Sequence, residues 1–325
     1  MTTHTAVSPP DSILVTVVIP ARNEAGRIGP LVRAVLAQDA RGRGIEVVVV
    51  DDGSTDATVA EARAAGARVL EPEPGGEVGN PAIGRNRGAA LAGGDPIVFL
   101  DADCAPAEDW LGRLLDEHER GAEVVGGSLD LPPDLSLTAR CDYYCGWYHV
   151  HSGREGGEVS NHPPGNLSVR REVFARAGGF TERQPIAYSH EELAWQAAVR
   201  RAGGRIVFVP GARVYHYNRP GFGNLLRRNY RWGYSAIESK AGTGAARASW
   251  VYRYPGLLVA GSLPIALGTT VYIIACWTRA RVVEPLLMLP AVLAARLAYS
   301  AGLVAGGMRW IRHGEAALPA RPRWE

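Results

Sequence analysis

Short apolar runs alternate with amphipathic stretches over the first third of the chain. The runs cover Ile13 to Ile19, Ile45 to Val50, Ala67 to Leu70 and Ile97 to Leu100, and most of them are rich in β-branched residues. Runs of this length, bounded by turn-forming residues, predict buried strands. The apolar spacing between them, as in LVRAVLAQ, predicts amphipathic helices. Because strand and helix alternate four times, the pattern predicts a parallel, doubly wound α/β sheet.

Polar and acidic residues follow three of these predicted strands. The first strand leads into Arg22 to Glu24, the second into Asp51 and Asp52, and the fourth into Asp101 and Asp103. Carboxyl ends of parallel strands share one edge of a sheet, so these groups are expected to converge on one crevice. Two acids one residue apart repel each other. A hard divalent cation would stabilise both carboxylates and could also bind a diphosphate. The alternative is a solvated loop between strand and helix, in which one acid caps the helix that follows.

Two common phosphate-binding sequences do not occur. The first strand is not followed by Gly-x-Gly-x-x-Gly, and Gly-x-x-x-x-Gly-Lys-Ser/Thr is absent from the chain. Both sequences work by cradling phosphate oxygens with backbone amides. Their absence favours a metal ion, Mn2+ or Mg2+, over a glycine loop as the partner of a bound diphosphate.

The composition indicates the cellular compartment of the protein and argues against nucleic acid as its partner. The 325 residues carry 35 basic and 33 acidic side chains, and a net charge of +2 gives no electrostatic basis for binding nucleic acid. Four cysteines without Cys-x-x-Cys spacing are expected to be reduced thiols in a cytosolic compartment. Residues 1–12 lack the basic and apolar regions of a signal peptide and predict a disordered leader.

Several motifs in register carry a family resemblance. VVIPARNEAG, VVVVDDGSTD, GRNRGAALAGG and IVFLDADC are followed by PPGNLSVRREVFARAGGF and HEELAWQAAVRRAGGRIVFVPGARVYH. In this order and spacing, over roughly residues 13–240, the chain resembles the GT-A-fold glycosyltransferases of family 2. The resemblance implies a mixed α/β sheet with helices on both faces. It divides residues 13–245 into a nucleotide-binding half, 13–105, and an acceptor and catalytic half, 106–245.

The resemblance also implies a reaction and a set of binding residues. Family members transfer a sugar from a nucleoside-diphosphate sugar to an acceptor hydroxyl with inversion. The nucleotide would contact six residues: Pro20, Ala21, Glu24, Asp52, Arg85 and Asp101. The metal, a Lewis acid for the leaving diphosphate, would be held by three: Asp103, Asp101 and His216. A solvated helix residue remains the alternative for Arg85, and a structural histidine remains the alternative for His216.

The general base is expected in the pair Glu191 and Glu192. The family usually has Glu-Asp here, before an amphipathic helix, so the second side chain of this chain is one methylene longer. A carboxylate with the right reach can still deprotonate a hydroxyl, and Glu192 is the preferred candidate. His190 is a rival base. Two acids at a helix N-terminus would also be favourable without any catalytic role.

Two stretches are candidates for the acceptor side of the cleft. Tyr144, Trp147, Tyr148 and His151 recur at helical spacing, which predicts a helix whose aromatic face is either core or acceptor wall. The irregular loop Asn161 to Asn166 contains two prolines, and its Gly165 would allow close backbone approach to a sugar. In the family this loop, including Gly165 and Asn166, lies beside the donor sugar and the acceptor.

A predicted helix over residues 221–240 carries Arg231 and Trp232. Processive synthases of the family have Gln-x-x-Arg-Trp here, but this chain has Arg228 in place of the glutamine. The difference argues against a long-chain polysaccharide synthase. The basic residues of this helix could bind the diphosphate or lipid headgroups, or could be solvated charge.

Residues 250–312 are apolar enough for one or two membrane helices. The stretch Tyr254 to Trp277 has no charged residue and is expected to span a bilayer, while Pro285 to Met308 is the doubtful span because Arg296 lies near its middle. A buried helical hairpin is the soluble alternative, and 313–325 is a basic tail.

These features together predict an enzyme of the cytoplasmic membrane, with its catalytic domain in the cytoplasm and a lipid-linked or membrane-proximal acceptor. Two alternatives stay open. One is the same chemistry on a soluble or peptide acceptor, and the other is a non-catalytic nucleotide-sugar-binding or assembly subunit.

Overall fold

The computed structural model describes residues 14–73, 76–182, 190–241 and 249–313. The predicted leader over 1–12 lies outside the described residues, as does the predicted tail except for residue 313.

The first part of the chain, up to residue 100, has the predicted alternation of strands and helices. In chain order its elements are β1 (Leu14–Ala21), α1 (Ile28–Leu36), β2 (Gly44–Asp51), α2 (Thr58–Ala64), β3 (Arg68–Leu70), α3 (Pro81–Ala90) and β4 (Ile97–Leu100). The four strands lie parallel in the order β3-β2-β1-β4. Val17 packs in the core cluster on one face of the sheet and Val18 in the cluster on the other, as expected for strands that are buried on both sides.

The second half extends the same sheet with strands of both directions. Its elements are β5 (Cys104–Pro106), α4 (Trp110–Glu119), β6 (Val124–Asp130), α5 (Leu137–Gly146), β7 (Gly157–Val159), β8 (Asn166–Val169), α6 (Arg171–Arg176), α7 (Leu193–Arg201), β9 (Ile206–His216) and α8 (Phe222–Ala241). The sheet order is β3-β2-β1-β4-β8-β6-β9-β5, and β7 pairs with β9. Because β8 runs antiparallel to β4 and β6, the sheet is mixed, which confirms the predicted fold class.

The short strand β5 positions the residues that follow β4. It pairs antiparallel with the end of β9, so that Cys104 lies opposite His216. The backbone N–H of Tyr217 donates to the carbonyl oxygen of Asp103 at 2.8 Å, which continues the pairing by one residue. Two segments more than one hundred residues apart in the chain therefore meet beside Asp103.

The predicted helix over Tyr144 to His151 is only partly present. Helix α5 ends at Gly146, so Trp147, Tyr148 and His151 lie beyond it and do not form a helical stripe. A Cβ at Gly146 would lie 2.8 Å from the ring of Trp232. The side chains after α5 are placed by their packing against α8 rather than by helical periodicity.

Five helices follow α8 within the described residues. They are a 3-10 helix (Ser249–Arg253), α9 (Pro255–Ala260), α10 (Ser262–Arg279), α11 (Glu284–Leu287) and α12 (Leu289–His313). The prediction of one continuous helix over Tyr254 to Trp277 is wrong, because the chain breaks at Gly261. Pro264 explains the break: its ring clashes with the carbonyl of Ala260 in a continuous helix, and it has no N–H to donate.

Within the described ranges, α12 is the one helix long and apolar enough to cross a membrane. The sequence predicted Tyr254 to Trp277 as the stronger membrane span and Pro285 to Met308 as the doubtful one. The structure reverses this order. Arg296 does not face outward on α12, because only 6 % of this residue is exposed and it packs within the protein. Buried helices of soluble proteins pass the same test of length and composition, and 39 % of the most apolar window of α12 is buried.

Helix α12 packs directly on helix α8 through glycines. A Cβ at Gly302 would overlap the carbonyl of Tyr230, a Cβ at Gly306 would overlap that of Tyr234, and a Cβ at Gly233 would overlap that of Tyr299. Small residues let two helix backbones approach this closely. The C-terminal helices are thus a fixed wall of the catalytic domain rather than a loosely attached appendage.

Candidate active site

A cleft of about 1510 Å³ opens at the carboxyl ends of β1, β2 and β4. Glu24, Asp52, Asp101 and Asp103 all line it, so the three strand ends meet as predicted. The topology explains this convergence, because β1 lies between β2 and β4 and all three run parallel. Pro20 and Ala21, at the end of β1, line the same cleft.

Two carboxyl groups at the strand ends, those of Asp52 and Glu24, are partly desolvated. Burial raises the pKa of Asp52, against the opposing effect of backbone N–H groups. One of these, from Gly79, donates to the Asp52 carboxylate at 2.6 Å. Burial, followed by the charge of Asp103, raises the pKa of Glu24, while Arg219 and Arg27 act in the opposite direction. This side of the cleft therefore concentrates negative charge that a cation would relieve.

The residues around Asp103 fit a divalent metal. Ligand atoms of Asp103, Cys104 and His216 lie within 4.8 Å of one another, and His216 Nε2 is 3.5 Å from an oxygen of Asp103. His216 Nδ1 lies 2.9 Å from the amide oxygen of Asn218, whose nitrogen donates to Asp142 at 2.7 Å. That network makes Nδ1 the donor, which directs the lone pair of Nε2 toward Asp103.

Cys104 is the weakest potential ligand of the three. Burial and the charges of Asp103 and Asp101 raise the pKa of its thiol well above the ordinary value. A metal prefers the thiolate, so this buried thiol adds little to a hard cation's site. Asp103 and His216, one carboxylate and one imidazole, form the pair that would hold Mn2+ or Mg2+.

Arg85 connects the donor side of the cleft to the predicted base. The residue is only 4 % exposed, and its guanidinium donates to Asp101 at 2.5 Å and to Glu191 at 2.7 Å. The alternative of a solvated helix residue is therefore wrong for Arg85. The second oxygen of Asp101 faces Gly165, where a Cβ would overlap that oxygen. Asp101, a predicted metal ligand, is thus paired with Arg85 and lies against the loop that contains Gly165. Its carboxylate oxygens are not among the potential ligand atoms grouped around Asp103.

Glu192 is buried at the start of α7, and only 7 % of the residue is exposed. Burial and then the charge of Glu191 raise its pKa to about 8, while Arg85 acts in the opposite direction. The ion pair with Arg85 occupies Glu191, which leaves Glu192 as the carboxyl group of the pair available to a substrate. The rival base His190 lies beside Glu192, with its Nδ1 3.2 Å from the hydroxyl of Ser235.

Arg228 connects three side chains on the wall of the cleft that α5 and α8 form. Its guanidinium lies 5.1 Å from the ring centroid of Trp147 and 4.5 Å from that of Trp232, and it donates to Asp142 at 2.5 Å. Since Asp142 also accepts from Asn218, one chain of contacts runs from the metal pair to α8. The ring of Trp147 also packs on that of His216, with centroids 5.0 Å apart.

Sequence reasoning missed Asp142 and Asn218 in this network. Only weak signals pointed to them: a lone acid in the aromatic stretch RCDYYC, and an amide two residues after a candidate metal ligand. Arg228 had a clearer signal, because it replaces the glutamine of the family pattern.

The remaining predicted site residues divide into two groups. Gly165, Arg231 and Trp232 line the cleft, and Arg231 is exposed. Asn166 does not reach the cleft. Its side chain is fully buried, with the amide nitrogen donating to the carbonyls of Ser128 and Ala212 at 2.9 Å each and the oxygen accepting from Trp110 at 2.7 Å.

Comparison with known proteins gives concordant matches. The model of Glycosyl transferase family 2 matches residues 16–177, and that of Glycosyl transferase family group 2 matches residues 97–300. The chain is 29 % identical to Glycosyltransferase AglE of Haloferax volcanii over 69 % of this chain and 73 % of that protein. It is 33 % identical to an undecaprenyl-phosphate 4-deoxy-4-formamido-L-arabinose transferase of Edwardsiella ictaluri over 43 % of this chain and 41 % of that protein. The chain therefore spans well under half of the second relative.

A solved structure supports the fold. The mannosyltransferase PcManGT from Pyrobaculum calidifontis, in complex with GDP-Man and Mn2+, aligns over 96 % of this chain and 91 % of that one, with a TM-score of 0.58 and 21 % identity. This similarity confirms the GT-A-like fold expected from the sequence motifs.

Proposed function

The chain belongs to the family 2 glycosyltransferases, and from this premise we propose that it transfers a sugar from a nucleoside-diphosphate sugar to an acceptor hydroxyl with inversion. The observation that carries the proposal is the meeting of three groups in one cleft. These are the nucleotide-side carboxylate Asp52, the pair Asp103 and His216, and the buried acid Glu192. A nucleotide, a metal-bound diphosphate and a base for the acceptor are what such a transfer requires.

In the proposed reaction the acceptor oxygen attacks the anomeric carbon of the donor sugar. The new carbon–oxygen bond forms as the bond between that carbon and the diphosphate breaks, and the diphosphate leaves with the electron pair. Glu192 takes the proton from the acceptor hydroxyl. Asp103 and His216 would hold a divalent metal that supplies positive charge to the leaving diphosphate. A single displacement of this kind inverts the anomeric carbon.

Within the proposal, Glu191 and Arg85 position the reacting groups. Arg85 bonds both Asp101, on the donor side, and Glu191, beside the base. A rigid link of this kind fixes the distance between the donor and Glu192, which matters because an attacking oxygen must approach closely and in line. The ion pair of Glu191 with Arg85 supports the assignment of Glu192 as the base.

We also propose that the C-terminal helices hold the enzyme on the cytoplasmic face of a membrane. Leu263, Leu267 and Val271 recur every four residues on α10 and are between 50 % and 69 % exposed, which makes an apolar stripe. Such a stripe, beside the apolar helix α12, suits a lipid surface. The relative whose name specifies undecaprenyl phosphate supports a lipid-linked acceptor.

The test uses the full-length protein, purified in detergent, with UDP- and GDP-sugars. The first readout is thermal stabilisation with and without Mn2+, since a true donor stabilises the native state in proportion to its occupancy. The second is sugar transfer to lipid extracts and to soluble acceptors, compared between wild type, Glu192→Gln and the exposed control Glu158→Gln.

We expect Mn2+-dependent stabilisation by one donor class, and transfer to lipid that Glu192→Gln abolishes while Glu158→Gln preserves it. No stabilisation by any nucleoside diphosphate in Mn2+ would overturn the donor assignment. Transfer to soluble acceptors alone would overturn the lipid assignment.

A further inference from the structure

The cleft does not end at Glu192 but continues toward the C-terminal helices. We call this extension the inner chamber and define it by six residues that line the cleft: Tyr148, Lys240, Tyr252, Leu258, Arg296 and Tyr299. The proposed donor and metal residues Asp52, Asp103 and His216 lie at the ends of strands or directly beside them, whereas the residues of the inner chamber come from α8, α9, α12 and the segments after α5 and before α9. The two sets share no residue.

Arg296 is a buried cation with unused hydrogen-bonding capacity. Its Nε and Nη2 atoms have no hydrogen-bond partner within the part of the chain that the structure describes, and only 6 % of the residue is exposed. The guanidinium lies 5.0 Å from the ring centroid of Tyr299, one turn further along α12. An unpaired buried charge is costly, and an anion bound in the chamber would offset that cost.

Lys240 brings a second positive charge to the same space. Its ammonium group lies 5.5 Å from the ring centroid of Tyr252. Burial lowers the pKa of Lys240, but electrostatic interactions with Tyr299, Tyr252 and Tyr148 and a hydrogen bond to Tyr299 together outweigh burial and raise it. Lys240 also acts to lower the pKa of Glu192, which indicates that the ammonium lies within electrostatic range of the base.

Apolar side chains pack with the aromatic neighbours of the two cations. Leu258 from α9, Ile265 from α10 and Leu303 from α12 line the cleft and lie in one apolar cluster with Tyr252 and Tyr299. The chamber therefore combines a basic pair with a hydrocarbon wall, and that wall belongs to the helices with exposed apolar faces. A ligand that matches both parts has an acidic group next to an apolar tail.

We propose that the inner chamber binds the acceptor, and that this acceptor is an amphiphile with an acidic group. The acidic group, a phosphate or a carboxylate, lies between Lys240 and Arg296. The apolar tail runs along α9, α10 and α12, and the reacting hydroxyl reaches Glu192. This inference rests on the proposed function and adds the chemical class of the acceptor to it.

The test measures binding of simple amphiphiles to full-length protein below their critical micelle concentrations. Decyl phosphate, decanoic acid and decanol share one tail and differ in headgroup, while methyl phosphate has the headgroup without the tail. The variants are Arg296→Gln and Lys240→Met, and the matched control is Arg312→Gln, which removes an exposed arginine from the same helix.

Wild type and Arg312→Gln should bind at least one acidic amphiphile about tenfold more tightly than decanol, since charge-assisted hydrogen bonds contribute on this scale. The tighter of decyl phosphate and decanoic acid identifies the acidic group. Arg296→Gln should lose the preference for an acidic headgroup while decanol binding stays unchanged. If Arg296→Gln does not fold, Lys240→Met is the test variant, and it should likewise lose the preference for an acidic headgroup while decanol binding stays unchanged.

Equal binding of all three ten-carbon amphiphiles by wild type would overturn the inference, because apolar helix faces alone would then explain it. Tight binding of methyl phosphate would also overturn it, since the tail would play no part. Mn2+-dependent hydrolysis of the donor distinguishes a wrong acceptor class from a wrong proposed function, because hydrolysis would persist in the first case and be absent in the second. It needs no acceptor, and wild type and the control Arg312→Gln should both show it.

Discussion

Removing the negative charge of Glu191 should make the enzyme work at lower pH. The pKa of Glu192 is raised to about 8 by burial and then by Glu191. With that pKa, about a tenth of Glu192 is ionised at pH 7 and about nine tenths at pH 9. If the ionised form is the base, wild-type turnover should rise about tenfold between these values.

Glu191→Gln removes the second of the two effects and leaves Arg85, which favours the ionised form of Glu192. Loss of one neighbouring charge in a buried site moves a pKa by about one pH unit. The midpoint should therefore fall from about 8 toward about 7. At pH 7, turnover should then reach about half of the variant's own plateau rather than about a tenth.

The assay is turnover at saturating donor and acceptor, measured from pH 6 to pH 10 for wild type, Glu191→Gln and Glu158→Gln. The last variant removes an exposed acid and should keep the wild-type midpoint. A midpoint of Glu191→Gln that is unchanged, or that moves to higher pH, would refute the assignment of Glu192 as a base coupled to Glu191.

Three further predictions concern the metal pair, the helix contact and the stability of the native state. Asn218→Ala should weaken Mn2+ binding about tenfold or more, measured by calorimetry, because it removes the partner that orients His216. Gly302→Ala should lower the free energy of unfolding by about 1–3 kcal/mol in urea titrations, because its Cβ would overlap the Tyr230 carbonyl, whereas Gly256→Ala meets no atom within 4 Å and should be nearly neutral. Because the pKa of Glu192 is raised in the native state, its stabilising contribution is complete below pH 4.5 and is lost as pH rises through about 8. Thermal unfolding should therefore show Glu192→Gln melting about 2 °C or more above wild type at pH 9. The difference between the two melting temperatures should be smaller at pH 5. A larger difference at pH 5 than at pH 9 would contradict the raised pKa of Glu192.

The sequence is informative about the strand ends because their signals are local. An apolar run such as Ile97 to Leu100 fixes a buried strand, and the alternation with helices fixes the neighbours β1, β2 and β4. Asp52, Asp101 and Asp103 then converge because the strands are parallel. Each step depends on residues that are close together in the chain.

Long-range pairing is what the sequence does not reveal. Strand β5 has three residues and exists because it pairs with β9, so the meeting of Asp103 with His216 has no local signature. Arg85 likewise bonds a residue 106 positions away. Asn166 shows the opposite error: it lies in a motif that resembles the family, yet its amide links β8 to the carbonyls of Ser128 and Ala212 inside the core.

Helix boundaries failed where packing or proline overrides periodicity. The aromatic spacing from Tyr144 to His151 predicted a helix, but the chain turns at Gly146, where the ring of Trp232 lies close by. The apolar stretch after Tyr254 looked continuous by hydropathy, which does not register the missing N–H of Pro264. Hydropathy also made Arg296 look like an obstacle to a membrane helix, whereas it points into the cleft.

The most direct test of the proposed metal site is the position of Mn2+ in crystals grown with a nucleoside diphosphate, located by anomalous scattering at the manganese edge. We predict one strong peak between the carboxylate of Asp103 and Nε2 of His216, in contact with the diphosphate. A peak bound elsewhere, with Asp103 and His216 making no contact to metal or nucleotide, would contradict this prediction.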